Sequence, residues 1–426
     1  MFENIIGQNE LTTQLVTDLE SSSLPGSLLF EGPAISAKTS CALELARVRS
    51  CDGKARWNCP CEQCARHRRL IHPDLIMLGP KNLREEIAIA VNMLQTVPTT
   101  ASRYFFIRAV RKLTNRFVPD LYQNEEGRLA KAQALIRPIM EGLEQCAPEN
   151  SDDQVVATEA RKLLPACEKL QEMVPASTPV FQVRSVEHMI RLAPWHRHRI
   201  VLMEHADKMM ESARNAMLKM LEEPPQQTTF ILTTTRRGAI IQTILSRLRP
   251  YRFLPRNEND TRVVLDRIFR LDQQMDSEQT ADTLESYFMR FRSQAKQSVA
   301  AYARQFLSSI LAELLDRGYH PDAGLKQLSA ECRLPAELTL AAMLKESNGL
   351  GGSSEAMNWL FPAFLEEVGS LLAGLLKQPG SGLPTLRLAE YWSVLSRDAQ
   401  LRYSSYNLNA AALSERMLDS LLRMAL

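Results

Sequence analysis

The stretch Arg199-Ile200-Val201-Leu202-Met203-Glu204-His205-Ala206-Asp207 reads as an apolar strand that ends on an acid. Ser212 to Leu221 (SARNAMLKML) then has helical character, and Glu222-Glu223-Pro224-Pro225 closes it. Proline stops a helix because it lacks the amide hydrogen and clashes with the preceding turn. Thr229-Phe230-Ile231-Leu232-Thr233-Thr234-Thr235 is a second strand, rich in β-branched residues. Ile244 to Arg249 leads into a short last strand, Tyr251-Arg252-Phe253. Strands alternating with helices predict a parallel sheet with helices on both faces. Ligands of such sheets sit at the carboxyl ends of the strands. Glu204, Thr233 to Thr235 and Arg247 all fall near such ends.

Working outward, Leu11 to Leu19 reads as a helix and Ser27 to Glu31 as a strand. The strand enters Gly32-Pro33-Ala34-Ile35-Ser36-Ala37-Lys38-Thr39, followed by a helix through Arg47. A phosphate-binding loop has the form Gly-x4-Gly-Lys-Ser/Thr. Its backbone amides curl round the phosphates, the lysine neutralises charge and the hydroxyl holds Mg²⁺. Gly32, Lys38 and Thr39 keep that pattern, but Ala37 replaces the last glycine, where a Cβ crowds the phosphate.

Four of the eight cysteines, Cys51, Cys59, Cys61 and Cys64, lie in CDGKARWNCPCEQC, a polar segment with Gly, Asn and Pro. Four thiolates suit a tetrahedral structural zinc, which folds a loop too small to own a core. Eight cysteines in 426 residues do not suggest a disulfide framework. Length predicts two to four domains. A net charge of +2 favours no class of partner. No apolar run is long enough for a bilayer, and the N-terminus has no signal-peptide pattern, so a cytoplasmic protein is expected.

The words NAMLKMLEEPP, ILTTT and SRLRPYRF, in this order, resemble the AAA+ core of bacterial DNA polymerase III clamp-loader subunits, the delta-prime type most of all. The resemblance covers residues 1–79 and 181–255 well and the C-terminus weakly. It implies a five-stranded parallel α/β core at 1–255, a helical lid at 256–298 and a helical collar that oligomerises at 299–426. Phe2 to Gln8 would line an adenine pocket. Ile35 stands at the loop's second glycine position, and a β-branched residue resists positive φ. A motor ATPase places Asp then Glu after the third strand, for Mg²⁺ and for the attacking water. This chain has Glu204 then His205. The two departures together point to a subunit that does not hydrolyse ATP, and ATP is not expected in its own site.

Ser246-Arg247 matches the family's Ser-Arg-Cys word, with Leu248 in the place of Cys. The resemblance makes Arg247 an arginine finger acting in trans on a neighbour's ATP, a role that suits a planar guanidinium of fixed charge. The family's zinc module is usually Cys-x8-Cys-x2-Cys-x2-Cys. The module at 51–64 is one residue short in each of the first two intervals, and Cys41 or His67 stands as a substitute ligand. His72, before the second strand, reads as structural.

Residues 80–180 are an insertion, expected to be helical. Within it Phe106, Val110, Leu113 and Phe117 fall on one helical face, and Arg108, Arg111, Lys112 and Asn115 largely on another. The expectation is a packed amphipathic helix with a solvated basic face. Gln154 to Met173 reads as a further helix and Ala147 to Asp153 as a loop. Arg256 to Asp260 reads as a polar linker, and the runs at 347–354 and 378–382 as loops between helices. Three readings follow. The first is a non-hydrolysing clamp-loader subunit, with gamma/tau and delta subunits, the sliding clamp and primed DNA as partners. The others are a gamma/tau-type motor subunit, and a nucleic-acid-binding adaptor acting through the insertion.

Overall fold

A computed structural model describes residues 1–80, 84–147, 152–269, 284–289, 291, 295–329, 354–376, 381–406 and 410–423. Five strands form one sheet: β1 Ser27–Glu31, β2 Leu75–Leu78, β3 Arg199–Met203, β4 Thr228–Thr234 and β5 Arg249–Arg252. All pairings are parallel, in the order β2-β3-β4-β1-β5. Every residue of β1 to β4 is buried, as a parallel sheet covered on both faces requires. β5 is the edge strand, where Pro250 is tolerated because the sheet asks no amide of its outer side.

Side chains alternate across the sheet, so each strand feeds two cores. Leu28, Phe30, Leu202 and Ile231 pack with α1 (Asn9–Glu20) and α2 (Lys38–Ser50). Their neighbours Leu29, Val201, Met203, Phe230 and Leu232 face the opposite core. The insertion supplies much of that second core through α4 (Arg84–Thr96), α5 (Thr100–Thr114), α6 (Glu126–Gln145) and α7 (Asp153–Glu172). After α3 (Glu62–Arg68), these helices are followed by α8 (Val180–Met189) and α9 (Glu211–Glu222), then α10 (Gln242–Leu245) and α11 (Glu258–Val264).

In α5 the apolar face is as expected. Phe106, Val110 and Leu113 are buried, and so is Phe117 in the 3-10 turn that continues the helix. A capping box formed by Thr99 and Ser102 starts it. The basic face is not solvated. Arg111 is 3% exposed and donates to Glu144 at 3.0 Å. Lys112 donates to Glu86 at 2.5 Å and Asn115 to the Leu70 carbonyl at 2.9 Å. Carboxylates brought in from distant segments satisfy these cations, which periodicity within one helix does not register.

The polar run 256–260 is not a linker throughout. Asn257 caps α11, its Oδ1 accepting from the Asp260 amide at 2.7 Å. The expected loops at 147–153 and 347–354 fall largely outside the described residues, as do 377–380 and 407–409.

The chain divides into two compact units, Met1–Arg292 and Ser293–Leu426. The first ends with α12 (Leu284–Met289), where Leu284 and Tyr287 pack with Val264, Phe269, Ile89 and Met93. The second holds α13 (Ala295–Asp316), α14 (Ala323–Ser329), α15 (Ser354–Leu376), α16 (Leu383–Tyr406) and α17 (Ala410–Leu422). Phe306 anchors its core, edge-on to Phe364 and Trp392. Among the described residues no helix is long and apolar enough to cross a membrane.

Candidate nucleotide and metal sites

β1 and β3 flank β4, so the loops leaving β1 and β3 meet at one end of the sheet. At the β1 exit, Gly32 has φ 149°, and a Cβ there would lie 2.4 Å from the Phe253 carbonyl oxygen. Only glycine fits. Ile35 and Ala37 both take positive φ, 55° and 74°. The loop therefore keeps left-handed turns at positions where side chains resist them, a strain of about 1–3 kcal/mol each. Arg256 braces it, donating to the Ile35 carbonyl through Nη1 and to the Ile6 carbonyl through Nε at 3.2 Å.

Lys38 is turned onto its own loop. Its Nζ donates to the Gly32 carbonyl at 2.8 Å, to the Pro33 carbonyl, and to Ser36 Oγ at 3.2 Å. Burial lowers the ammonium to about 8. Thr39 opens α2 and donates through Oγ1 to Glu204 Oε1 at 2.9 Å. The other carboxylate oxygen, Oε2, accepts from Arg116 Nη2 at 2.6 Å. Glu204 is 6% exposed and Arg116 2%. Burial alone pushes Glu204 up, but Arg116, Lys112 and the Thr39 hydroxyl hold it below the usual carboxylate range.

These residues do not fit Mg²⁺. The oxygen of Glu204 that Thr39 leaves over is taken by a guanidinium, and the next residue is not an acid. His205 sits at φ 52°, and its amide donates to Thr233 Oγ1 at 3.4 Å. Burial lowers its imidazole below the ordinary histidine value, against the pull of Glu204. Asp207 is engaged elsewhere, accepting from Thr234 Oγ1 at 2.8 Å and from Arg236 at 3.2 Å.

Arg247 makes its contacts on α9 and α10 rather than on this loop. Nη1 donates to the Thr243 carbonyl at 2.6 Å and Nη2 pairs with Glu222. The pair is open to solvent, with side-chain exposures of 27% and 52%.

The four cysteines converge. Cys51 closes α2, Cys64 lies in α3, and Cys59 and Cys61 come from the loop between. All four Sγ atoms lie within 4.8 Å of one another. Cys51 Sγ is 3.6 Å from that of Cys59 and 3.9 Å from that of Cys61. A tetrahedron with Zn–S bonds of about 2.3 Å has edges of about 3.8 Å, so the spacing fits zinc. Burial pushes the Cys61 thiol up, yet amides of Cys64 and Asp52 and the neighbouring thiols bring it to about 6. Arg47 donates to Cys64 Sγ at 3.0 Å while held in a fork by Glu44 at 2.7 and 2.8 Å. Such a cation offsets the negative charge that four thiolates leave round a divalent ion. Neither substitute belongs to the cluster. Cys41 packs under the sheet with Leu28 and Phe30, and His67 stacks on His72 with ring centroids 4.1 Å apart.

The family described as DNA polymerase III, delta subunit, matches residues 7–257, a span that holds the sheet, the loop, the thiol cluster and Arg247. The chain belongs to the DNA polymerase III delta-subunit family. No curated protein matches it. Among solved structures, a DNA polymerase III gamma subunit-related protein from Thermotoga maritima is 16% identical, with a TM-score of 0.26. That match covers 59% of this chain and 81% of the other.

In this delta-family chain the structure gathers Gly32, Lys38, Thr39 and Glu204 at one end of the sheet and the four cysteines in a second place. Three arginines escaped the sequence reading. Arg116 reaches Glu204 across 88 residues and Arg256 reaches Ile35 across 221, and no local motif marks either. Arg47 had a signal, since Glu44 and Cys64 lie close by in a helix and the module that follows it.

Proposed function

We propose that this chain is a delta-prime-type subunit of the clamp loader that does not hydrolyse ATP. It serves as the stator of an assembly that opens the sliding clamp and places it on primed DNA. The observation that carries this reading is His205, an imidazole at the place where hydrolysis needs a carboxylate. Lys38, engaged by the carbonyls of Gly32 and Pro33, supports it. In this reading gamma/tau-type and delta-type subunits flank the chain. Residues 1–255 form the AAA+ core, 256–298 the lid and 299–426 the collar, and the complex works in the cytoplasm. Cys51, Cys59, Cys61 and Cys64 hold a structural zinc, a closed site with no position for a substrate.

Arg247 is assigned the finger that reaches the ATP of the neighbouring subunit. Its support is a partly exposed arginine whose carboxylate partner, Glu222, is itself half exposed. A gamma/tau-type motor is the second reading, favoured by the left-handed turns that the phosphate loop retains at Ile35 and Ala37. Isothermal titration with a non-hydrolysable ATP analogue and Mg²⁺, together with phosphate release from ATP, tests both on the purified chain. No turnover is expected. Turnover would make this chain a motor.

A further inference from the structure

The insertion places the guanidinium of Arg116 against the carboxylate of Glu204, which also accepts from the Thr39 hydroxyl. Arg116 lies in the 3-10 turn Asn115–Phe117 that follows α5, and Phe117 is pinned by stacking on Tyr122 at 5.6 Å. From there the side chain runs under the sheet end. Nη2 donates to Glu204 Oε2 at 2.6 Å and Nη1 to the Pro80 carbonyl at 3.2 Å. Gly79, at the exit of β2, makes room for it: a Cβ there would lie 2.8 Å from Arg116 Nη1 and 3.1 Å from Glu204 Cβ. One turn earlier, Lys112 pairs with Glu86 and adds positive charge beside Glu204. The hydroxyl of Thr39 and the guanidinium thus each engage one oxygen of the Glu204 carboxylate.

We propose that Arg116 is a built-in cation that takes the place of a divalent metal at Glu204 and Thr39, so that the insertion closes the metal half of the nucleotide site. The argument is one of charge and geometry. A divalent ion at Glu204 Oε2 would have to displace a buried guanidinium, and a second positive charge beside it would be repelled in surroundings of low dielectric. Arginine suits the task because it stays charged when buried and its fork can serve a carboxylate and a carbonyl together. The proposal rests on the reading of this site as one that does not hydrolyse ATP, and it gives that reading a cause within the chain.

The test uses Mn²⁺ as probe, followed by electron paramagnetic resonance on the full chain with and without ADP. The wild type is expected to take no Mn²⁺ that Glu204→Gln abolishes. Arg116→Met, which keeps the length and removes the charge, is expected to bind Mn²⁺ at least tenfold more tightly than the wild type, and Arg116→Met/Glu204→Gln to lose that gain. Mn²⁺ bound at Glu204 in the wild type would overturn the proposal, and so would a folded Arg116→Met chain with no gain. If Arg116→Met unfolds without metal, return of its helical circular dichroism on adding MnCl₂ supports the proposal and failure to return overturns it. A wild type that releases no phosphate, beside an Arg116→Met chain that gains no Mn²⁺, would sink this proposal and leave the stator reading standing. Phosphate release by the wild type would sink the stator reading.

Discussion

Arg47 donates from Nη1 to the sulfur of Cys64 and to the Arg56 carbonyl, both at 3.0 Å, while Nε and Nη2 are held by Glu44 and Nη2 also by the Ala55 carbonyl. One buried guanidinium thereby ties the helix after the phosphate loop to the thiol cluster, so the metal module is braced by the core. Arg47→Met removes the cation and leaves Glu44, 6% exposed, without its partner. Breaking a buried pair on one side costs about 3–5 kcal/mol. Loss of a partner to a metal ligand weakens metal binding by about 10–100-fold. We expect faster zinc release to a chromogenic chelator and a lower thermal midpoint. An unchanged rate of release would mean that Arg47 plays no part at the cluster.

Elemental analysis should find one zinc per chain, and Cys64→Ser should lose it. Because the cluster packs on α2 and α3, chelation should also lower the melting midpoint of the first unit. Retention of zinc in Cys64→Ser would show that the cluster does not bind as a set of four.

Much of this could be read in the sequence, and the reasons for the gaps are physical. β-branched runs between helix stops reveal β3 and β4 because a strand buried on both faces leaves no other composition. The four cysteines are legible because their chemistry is carried by residue type and spacing. The basic face of α5 reads as solvated by periodicity but is paired in the fold, since Glu144 and Glu86 reach it from other helices. Ile35 keeps the positive φ that its side chain resists, because Arg256 holds its carbonyl from 221 residues away. Local propensity cannot see a tertiary brace.

Gly79 offers a direct test of how tightly the Arg116 and Glu204 pair is built in. Gly79→Ala places a Cβ 2.8 Å from Arg116 Nη1 at a backbone φ of 156°. Strain of this kind costs about 1–3 kcal/mol, read as a lower urea midpoint. Gly238→Ala is the control, because nothing lies within 4 Å of its added Cβ. It should stay within about 0.5 kcal/mol of wild type. Equal behaviour of the two would show that the space beneath Arg116 is slack.

His198 sets a pH dependence. It is 5% exposed, lies 2.9 Å from Thr229 Oγ1 and 2.8 Å from Arg49, and is lowered to about 3 by burial and then by Arg49. With an unfolded value near 6.5, the unfolded chain binds the extra proton between those limits. The native state gains from this group fully above pH 6.5 and loses that gain as pH falls toward 3. Between pH 7.5 and 5.5 the loss is about 1 kcal/mol. The drop in stability over that interval should be smaller by this amount in His198→Gln. Identical drops in the two proteins would show that His198 titrates normally in the fold.

The pair of Glu222 and Arg247 bears on the finger role proposed for Arg247. Glu222 is half exposed and Arg247 partly so, and the contribution of such a pair to stability is small, about 0.2–1 kcal/mol. Arg247 can leave Glu222 for a phosphate at little cost, since an anion of greater charge would replace the carboxylate. Glu222→Gln should therefore leave the melting midpoint of the chain nearly unchanged and should not lower the DNA-stimulated ATPase of the reconstituted loader. Arg247→Ala should leave assembly intact and lower both ATPase and clamp loading. At the one interface it serves, a lost finger costs on the order of 10³-fold in rate. The two variants separate the roles: a structural latch would be damaged equally by either change, whereas a finger is lost only with the guanidinium. Normal turnover in the Arg247→Ala complex would remove Arg247 from the chemistry and leave the pair with Glu222 as a surface contact.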